Sequence, residues 1–153
     1  MERKVTHDTF RIERQYDATP TRVFAAFAAK EAKSQWFVGP AEWKKSDHRL
    51  DFKVGGKEHL SGGPVGQPQH HYDATFMDIV PNERIITTYE MHIGDQRISV
   101  SVATVELKPA GKGTRFVLIE QGAYLDGFDT PKLREEGTSV LMNQLGDWLK
   151  KSA

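Results

Sequence analysis

The chain has 153 residues, with 21 Lys plus Arg balancing 21 Asp plus Glu, and no cysteine. That length predicts one domain, 1–153, large enough to bury a core without staples. Zero net charge, with no basic run beyond the pairs Lys44-Lys45 and Lys150-Lys151, argues against a nucleic-acid partner. The lack of cysteine excludes disulfides and thiolate chemistry. The start, MERKVTHDTF, lacks an apolar export core, and no run approaches a membrane span, so a cytoplasmic protein is expected.

Thr9 to Tyr16 alternates as a first strand, with Phe10, Ile12, Arg14 and Tyr16 on one face. Thr19-Pro20 reads as an N-cap and first helical residue, opening a short helix with Val23, Phe24 and Phe27 on its apolar side. A second short helix, Lys30 to Trp36, ends before Gly39-Pro40. Glu42 to Asp47 and Arg49 to Val54 read as a hairpin with its tip at Ser46-Asp47-His48, and Gly55-Gly56 turns into a strand from Lys57 to Leu60. Gly62 to Gln69 holds three Gly and two Pro and reads as a mobile loop. Strands then follow at His70 to Val80, Arg84 to Ile93, Gln96 to Leu107 and Thr114 to Gln121, with Gly94-Asp95 as a hairpin turn. After a linker, Gly122 to Asp129, Thr130 caps a long helix with Pro131 in its first turn. Leu133, Gly137, Leu141, Leu145 and Leu149 form an i, i+4 line there, with Val140 and Trp148 alongside, and predict its buried face. Gly137 interrupts that line, which implies close approach to a strand or room for a ligand.

Several stretches, taken in order, resemble a known family. They are Trp36-Phe37 with Gly39-Pro40, FKVGG at Phe52 to Gly56, DIVPNERI at Asp78 to Ile85, and Tyr89-Glu90-Met91. SVSVATVEL at Ser99 to Leu107, Gly113-Thr114-Arg115, EQGAYLDG at Glu120 to Gly127, and REEGT at Arg134 to Thr138 with Leu141 to Leu149 complete the set. Their order resembles the bacterial proteins grouped with activators of the heat-shock protein 90 ATPase, within the START-like, SRPBCC or polyketide-cyclase-like superfamily. The resemblance implies an α+β helix-grip fold: a curved antiparallel β-sheet wrapped around a long C-terminal α-helix, with two short helices after the first strand. It implies small apolar ligand binding, occasional cyclase or hydrolase chemistry, or chaperone partnering, and it carries no common catalytic motif.

Strand parity turns Ile85, Thr87, Tyr89 and Met91 inward, and Phe116, Leu118 and Glu120 with them. Glu120 then ends an apolar row, either as a raised-pKa acid or base or as a rim carboxylate paired to Arg97. Among the aromatic residues Trp36, Phe37, Trp43, Phe52, Phe76, Tyr89 and Trp148, the first choices for a pocket wall are Trp36, Trp43 and Tyr89, and Phe24 and Phe27 are assigned to core. The ligand-binding set is therefore Trp36, Trp43, Phe76, Tyr89, Arg97, Phe116, Leu118, Glu120 and Leu141. The adjacent His70-His71 would point to opposite faces of a strand, and His48, His59 and His92 lack ligand spacing, so neither metal nor cofactor is expected. The loop GGPVGQ lacks the Lys-Ser/Thr ending of a phosphate loop. The expected function is binding of a small hydrophobic or amphipathic molecule between the sheet and the long helix, entering past the Gly62 to Gln69 lip. The alternatives are a cyclase, dehydratase or hydrolase using Glu120, Arg97 or a His, and a cochaperone-like module. A cluster of buried convergent polar side chains would favour the enzyme.

Overall fold

The computed structural model describes residues 2–153; Met1 and the side chains of Lys45 and Ser46, the latter at the expected hairpin tip, lie outside the described residues. The element order is β1 Val5–Tyr16, α1 Pro20–Ala28, α2 Lys30–Trp36, β2 Lys44–Leu50, β3 Lys57–Gly63, β4 His70–Val80, β5 Arg84–Ile93, β6 Gln96–Ala110, β7 Gly113–Leu125 and α3 Pro131–Lys151. The strands form one antiparallel sheet in the order β1-β7-β6-β5-β4-β3-β2, and α3 packs against β1 and the two short helices. This is the expected helix-grip architecture.

Local chemistry sets the helix starts. Thr19 accepts a hydrogen bond from the Arg22 N–H and Thr130 from that of Leu133, each with Pro in the first turn. The V of α1 and α2 is fixed by the Trp36 indole N–H, which donates to the Ala26 carbonyl at 3.0 Å. The core joins Phe10, Ile12 and Tyr16 of β1 to Val23 and Phe27 of α1, Trp36 of α2, the inner faces of β4 to β7, and Met142, Leu145 and Leu149 of α3. The Tyr16 hydroxyl donates to the Met142 carbonyl at 2.7 Å and ties α3 to the sheet edge.

Three expectations are corrected. The segment read as a hairpin is one strand, β2, with a register shift between Lys45 and Asp47; the reversal comes afterwards, at residues 51–56. A bulge absorbs the turn-forming residues, and Gly55 takes a positive φ of 83° in the turn that follows. The predicted line of α3 holds over its C-terminal half, where Leu145 and Leu149 are buried together with Met142 and Leu141 packs against the core, but not at its start: Leu133 is 60% exposed, and Val140 beside the line is 54% exposed. Arg134 turns inward from this helix, its side chain only 10% exposed. Gly137 is exposed with nothing within 4 Å of where a Cβ would stand, so no strand approaches it.

Candidate functional site

Antiparallel partners share a face, so the registers define the inner surface of the sheet. Phe76, Thr87, Ala103 and Glu120 form one inward row across β4 to β7, and Ala74, Tyr89, Ser101 and Gly122 the next. The rows nearer α1 are filled by core side chains. Toward the other end, Leu60, Tyr72 and Met91 face inward together but stay half-buried. That part of the grip is where two polar clusters sit.

The first cluster centres on Glu120, which is 3% exposed. The Tyr89 hydroxyl donates to Glu120 Oε2 at 2.8 Å. Arg134 comes down from α3, donating from Nη1 to the Tyr89 oxygen at 3.0 Å and from Nη2 to Ser99 Oγ at 2.7 Å and Asp129 Oδ2 at 2.8 Å. Its Nη1 stands 4.0 Å from Glu120 Oε2. The second cluster lies across β2, β3 and α2. Glu58 accepts from Lys33 Nζ at 2.6 Å on one oxygen and faces His48 Nε2 at 2.8 Å on the other. Tyr72 stands between the clusters, its ring 4.8 Å from that of Tyr89 and 5.0 Å from that of Phe37.

The two buried carboxylates titrate in opposite directions for a geometric reason. Burial, the largest influence on Glu120, pushes its pKa up to about 7; the Tyr89 hydrogen bond and the Arg134 charge offset this only in part. Burial acts strongly on Glu58 too, but direct contacts from Lys33 and His48 outweigh it and hold that carboxyl below its ordinary range. The distances account for the difference: 2.6 Å from Lys33 to Glu58, against 4.0 Å from Arg134 to Glu120. Burial, reinforced by nearby carboxylates, raises Tyr72 and Tyr89 well above the normal phenol range.

A raised folded-state pKa gives a definite pH dependence. Glu120 contributes its full stabilisation below about 4.5 and loses it as pH rises through about 7. The loss is on the order of 3 kcal/mol by linkage. Glu120→Gln, which keeps an acceptor for Tyr89, should therefore match the wild type in urea denaturation at acid pH and exceed it in stability above neutrality. Equal stability of the two proteins across that range would show that Glu120 is already solvated or fully paired.

The structure brings Tyr89 and Glu120 together as expected, but the partner cation is Arg134, not Arg97. Met91 pairs Ser99 and His92 pairs Arg97, so Ile98 is an extra residue, and this bulge turns Arg97 outward. There Arg97 is exposed and pairs with Glu90 at 3.5 Å. Trp36, Phe76, Phe116 and Leu118 are packed within the continuous core. Leu141 is half-buried against that core, and Trp43 is half-buried with its ring 4.6 Å from the His70 imidazole. The sequence reading missed Arg134, Lys33, Glu58 and His48. Glu58 was within reach of parity, since Glu58 and Leu60 alternate with His59 along one strand; an inward Arg134 had no signal in the apolar pattern of its helix.

Among the described residues, no group of three or more His, Asp or Glu side chains is placed to hold a metal ion. No helix is long and apolar enough to cross a membrane. Two surface hollows are present, the second of which counts Glu58 and Tyr89 among its lining residues. One of about 660 Å³ is near Pro20, Arg84 and Lys108. The other, of about 580 Å³, lies on the outer face of the sheet near Arg49, His59 and Thr88.

An antiparallel sheet closed on a long C-terminal helix, with buried polar groups in the grip, defines a START-like, SRPBCC-type domain. The model of the family described as Activator of Hsp90 ATPase homolog 1-like protein matches residues 17–152, and the chain belongs to that family. Among solved structures it is similar to protein Mll3558 from Rhizobium loti, with 46% identity over 95% of this chain and 99% of that one and a TM-score of 0.88. It is also similar to a Rhizobium leguminosarum protein, with 41% identity over 99% of each chain and a TM-score of 0.94. Protein SA2116 from Staphylococcus aureus, at 18% identity over 97% of each chain and a TM-score of 0.76, shares the fold. No curated protein matches.

Proposed function

We propose that the chain binds a small amphipathic molecule between the N-terminal half of α3 and the inner face of β3 to β6. The observation that carries this reading is the Tyr89–Glu120–Arg134 cluster, buried at the end of an inward surface whose Leu60, Tyr72 and Met91 are only partly buried. Apolar walls with a few convergent polar groups are the usual make-up of a small-molecule site. Trp43, Leu141 and the residue 64–69 lip would border the entrance, and the family and fold support a ligand-binding domain.

A thermal-shift screen of fatty acids, flavonoids and aromatic polyketides tests the reading. A ligand at about a hundred times its Kd stabilises by about 2.7 kcal/mol, which moves the melting temperature by several degrees. Hits should appear with the wild type and weaken in Arg134→Met and Tyr89→Phe. A screen without hits, or hits that bind both variants unchanged, would contradict the reading.

One observation favours a second reading, acid–base catalysis in the same place. Glu120, with a pKa near 7 beside a neutral phenol, is poised to take or give a proton at neutral pH. Glu120→Gln would then abolish turnover of a bound compound while leaving its affinity largely intact. A chaperone partner has only the family's description in its favour.

A further inference from the structure

The two halves of α3 are held in different ways. From residue 139 onward the helix is fixed on every side that faces the fold. Met142, Leu145 and Leu149 are buried, Arg14 and Tyr16 of β1 donate to Ser139 and Met142, and Gln144 donates to the Trp36 carbonyl. The first two turns are different: none of residues 131–138 is buried. Among the described residues, Arg134 is the one side chain in those turns that hydrogen-bonds to the sheet, through the Tyr89 and Ser99 oxygens. Its guanidinium also lies 5.6 Å from the centre of the Tyr89 ring and 5.5 Å from that of Tyr124. Yet the inward residues at this end of the sheet, Tyr89, Ser99, Glu120 and Tyr124, are all buried. Two lightly held turns, tied down by one guanidinium, lie over the polar end of the grip.

The joint between the halves is soft. Gly137 stands there, exposed, with nothing within 4 Å of where a Cβ would be, so no close approach accounts for it. A glycine inside a helix weakens it. One residue on, Thr138 Oγ1 donates to the Arg134 carbonyl at 2.8 Å, a back-bond that loosens and bends helices. Closure also carries a cost: the Tyr124 hydroxyl is buried beside Arg134 with no hydrogen-bond partner among the described residues. A molecule that reaches Tyr89 and Glu120 has to pass this cover. Resting on the binding reading above, we infer that residues 131–137 are a lid over the site, jointed at Gly137 and latched by Arg134. When the guanidinium releases Tyr89 and Ser99, the first two turns of α3 lift from β5 and β6 and open the inner surface. The same bonds close them over the bound molecule.

Native-state hydrogen exchange on the full, unliganded chain tests the lid, with Arg134→Gln and Gly137→Ala each first shown to be folded by its melting curve. The amides of residues 134–138 should exchange at least about a hundredfold faster than those of 145–149, and with little dependence on added urea, since a local opening exposes little surface. Arg134→Gln should speed them by about tenfold or more, through loss of charge-assisted hydrogen bonds. Gly137→Ala should slow them by about fivefold. Stopped-flow binding of the amphipathic dye anilinonaphthalene sulfonate reads the gate. In Gly137→Ala its association and dissociation should slow together by about fivefold at an unchanged Kd, because the substitution disfavours only the open state through which both must pass. Exchange at 134–138 that follows global unfolding, or that ignores Arg134→Gln as plain fraying of a helix end would, overturns the lid and leaves the binding reading in place. Dye binding whose rates Gly137→Ala leaves unchanged does the same. If neither the dye nor any compound of the thermal screen binds while the exchange results hold, the binding reading fails and the latched segment stands.

Discussion

Leu145→Ala should cost about 2–5 kcal/mol of unfolding free energy, the usual range for removing a buried leucine side chain. Leu145 is 0% exposed and is the residue by which α3 closes the core shared with Tyr16, Trp36 and Phe116. The truncation removes transfer energy and leaves a cavity between a sheet edge and two helices that cannot collapse freely. Leu133→Ala, on the same helix, should change stability by less than about 0.5 kcal/mol, because Leu133 is exposed. Urea denaturation of the two variants separates the observed helix phase from the one the leucine line predicts. Equal losses would mean that the helix is turned as the sequence pattern suggested.

Glu58→Leu should be destabilising by about 3–5 kcal/mol, since it strands the Lys33 ammonium in the interior. Lys33 and Glu58 are both buried, and the ammonium also lies 4.7 Å from the centre of the Phe37 ring. The double variant Lys33→Met with Glu58→Leu should recover most of the loss, because an apolar pair of similar volume removes both desolvation costs. A double-mutant cycle by chemical denaturation reads the coupling directly. Two single losses below about 1 kcal/mol that simply add would show that water reaches the pair. The lowered pKa of Glu58 adds a pH signature opposite to that of Glu120: its contribution is present above about 4.5 and is lost as pH falls below that.

What could be read from the chain follows from which forces leave a periodic trace. The caps Thr19-Pro20 and Thr130-Pro131, the hairpin turn at Gly94-Asp95 and the inward row Ile85, Thr87, Tyr89 were legible because each is a local rule acting on adjacent residues. Glu120 was placed inward by the same alternation. Bulges defeat alternation, since one extra residue exchanges the faces. That is why Arg97 was read as a cavity group and why β2 was read as a hairpin. Arg134 was hidden for another reason. An inward cation is stabilised by partners from distant strands and the preceding loop, Tyr89, Ser99 and Asp129, and no pattern along α3 records them. At the same end of the helix Leu133 is left exposed, while Leu145 and Leu149 farther along the line stay buried.

The central claim is that the partly buried inner surface around Tyr72 receives a ligand whose polar end reaches the Tyr89–Glu120–Arg134 cluster. Methyl-labelled NMR of the protein, titrated with the tightest compound from the thermal screen, tests it most directly. The account predicts saturable shifts at the methyls of Leu60, Met91 and Leu141, with Val23 and Leu149 in the filled core unmoved and Met77 and Val100 on the outer surface unmoved. Shifts confined to Met77 and Val100, or no saturable shift at Leu60, Met91 and Leu141, would contradict it.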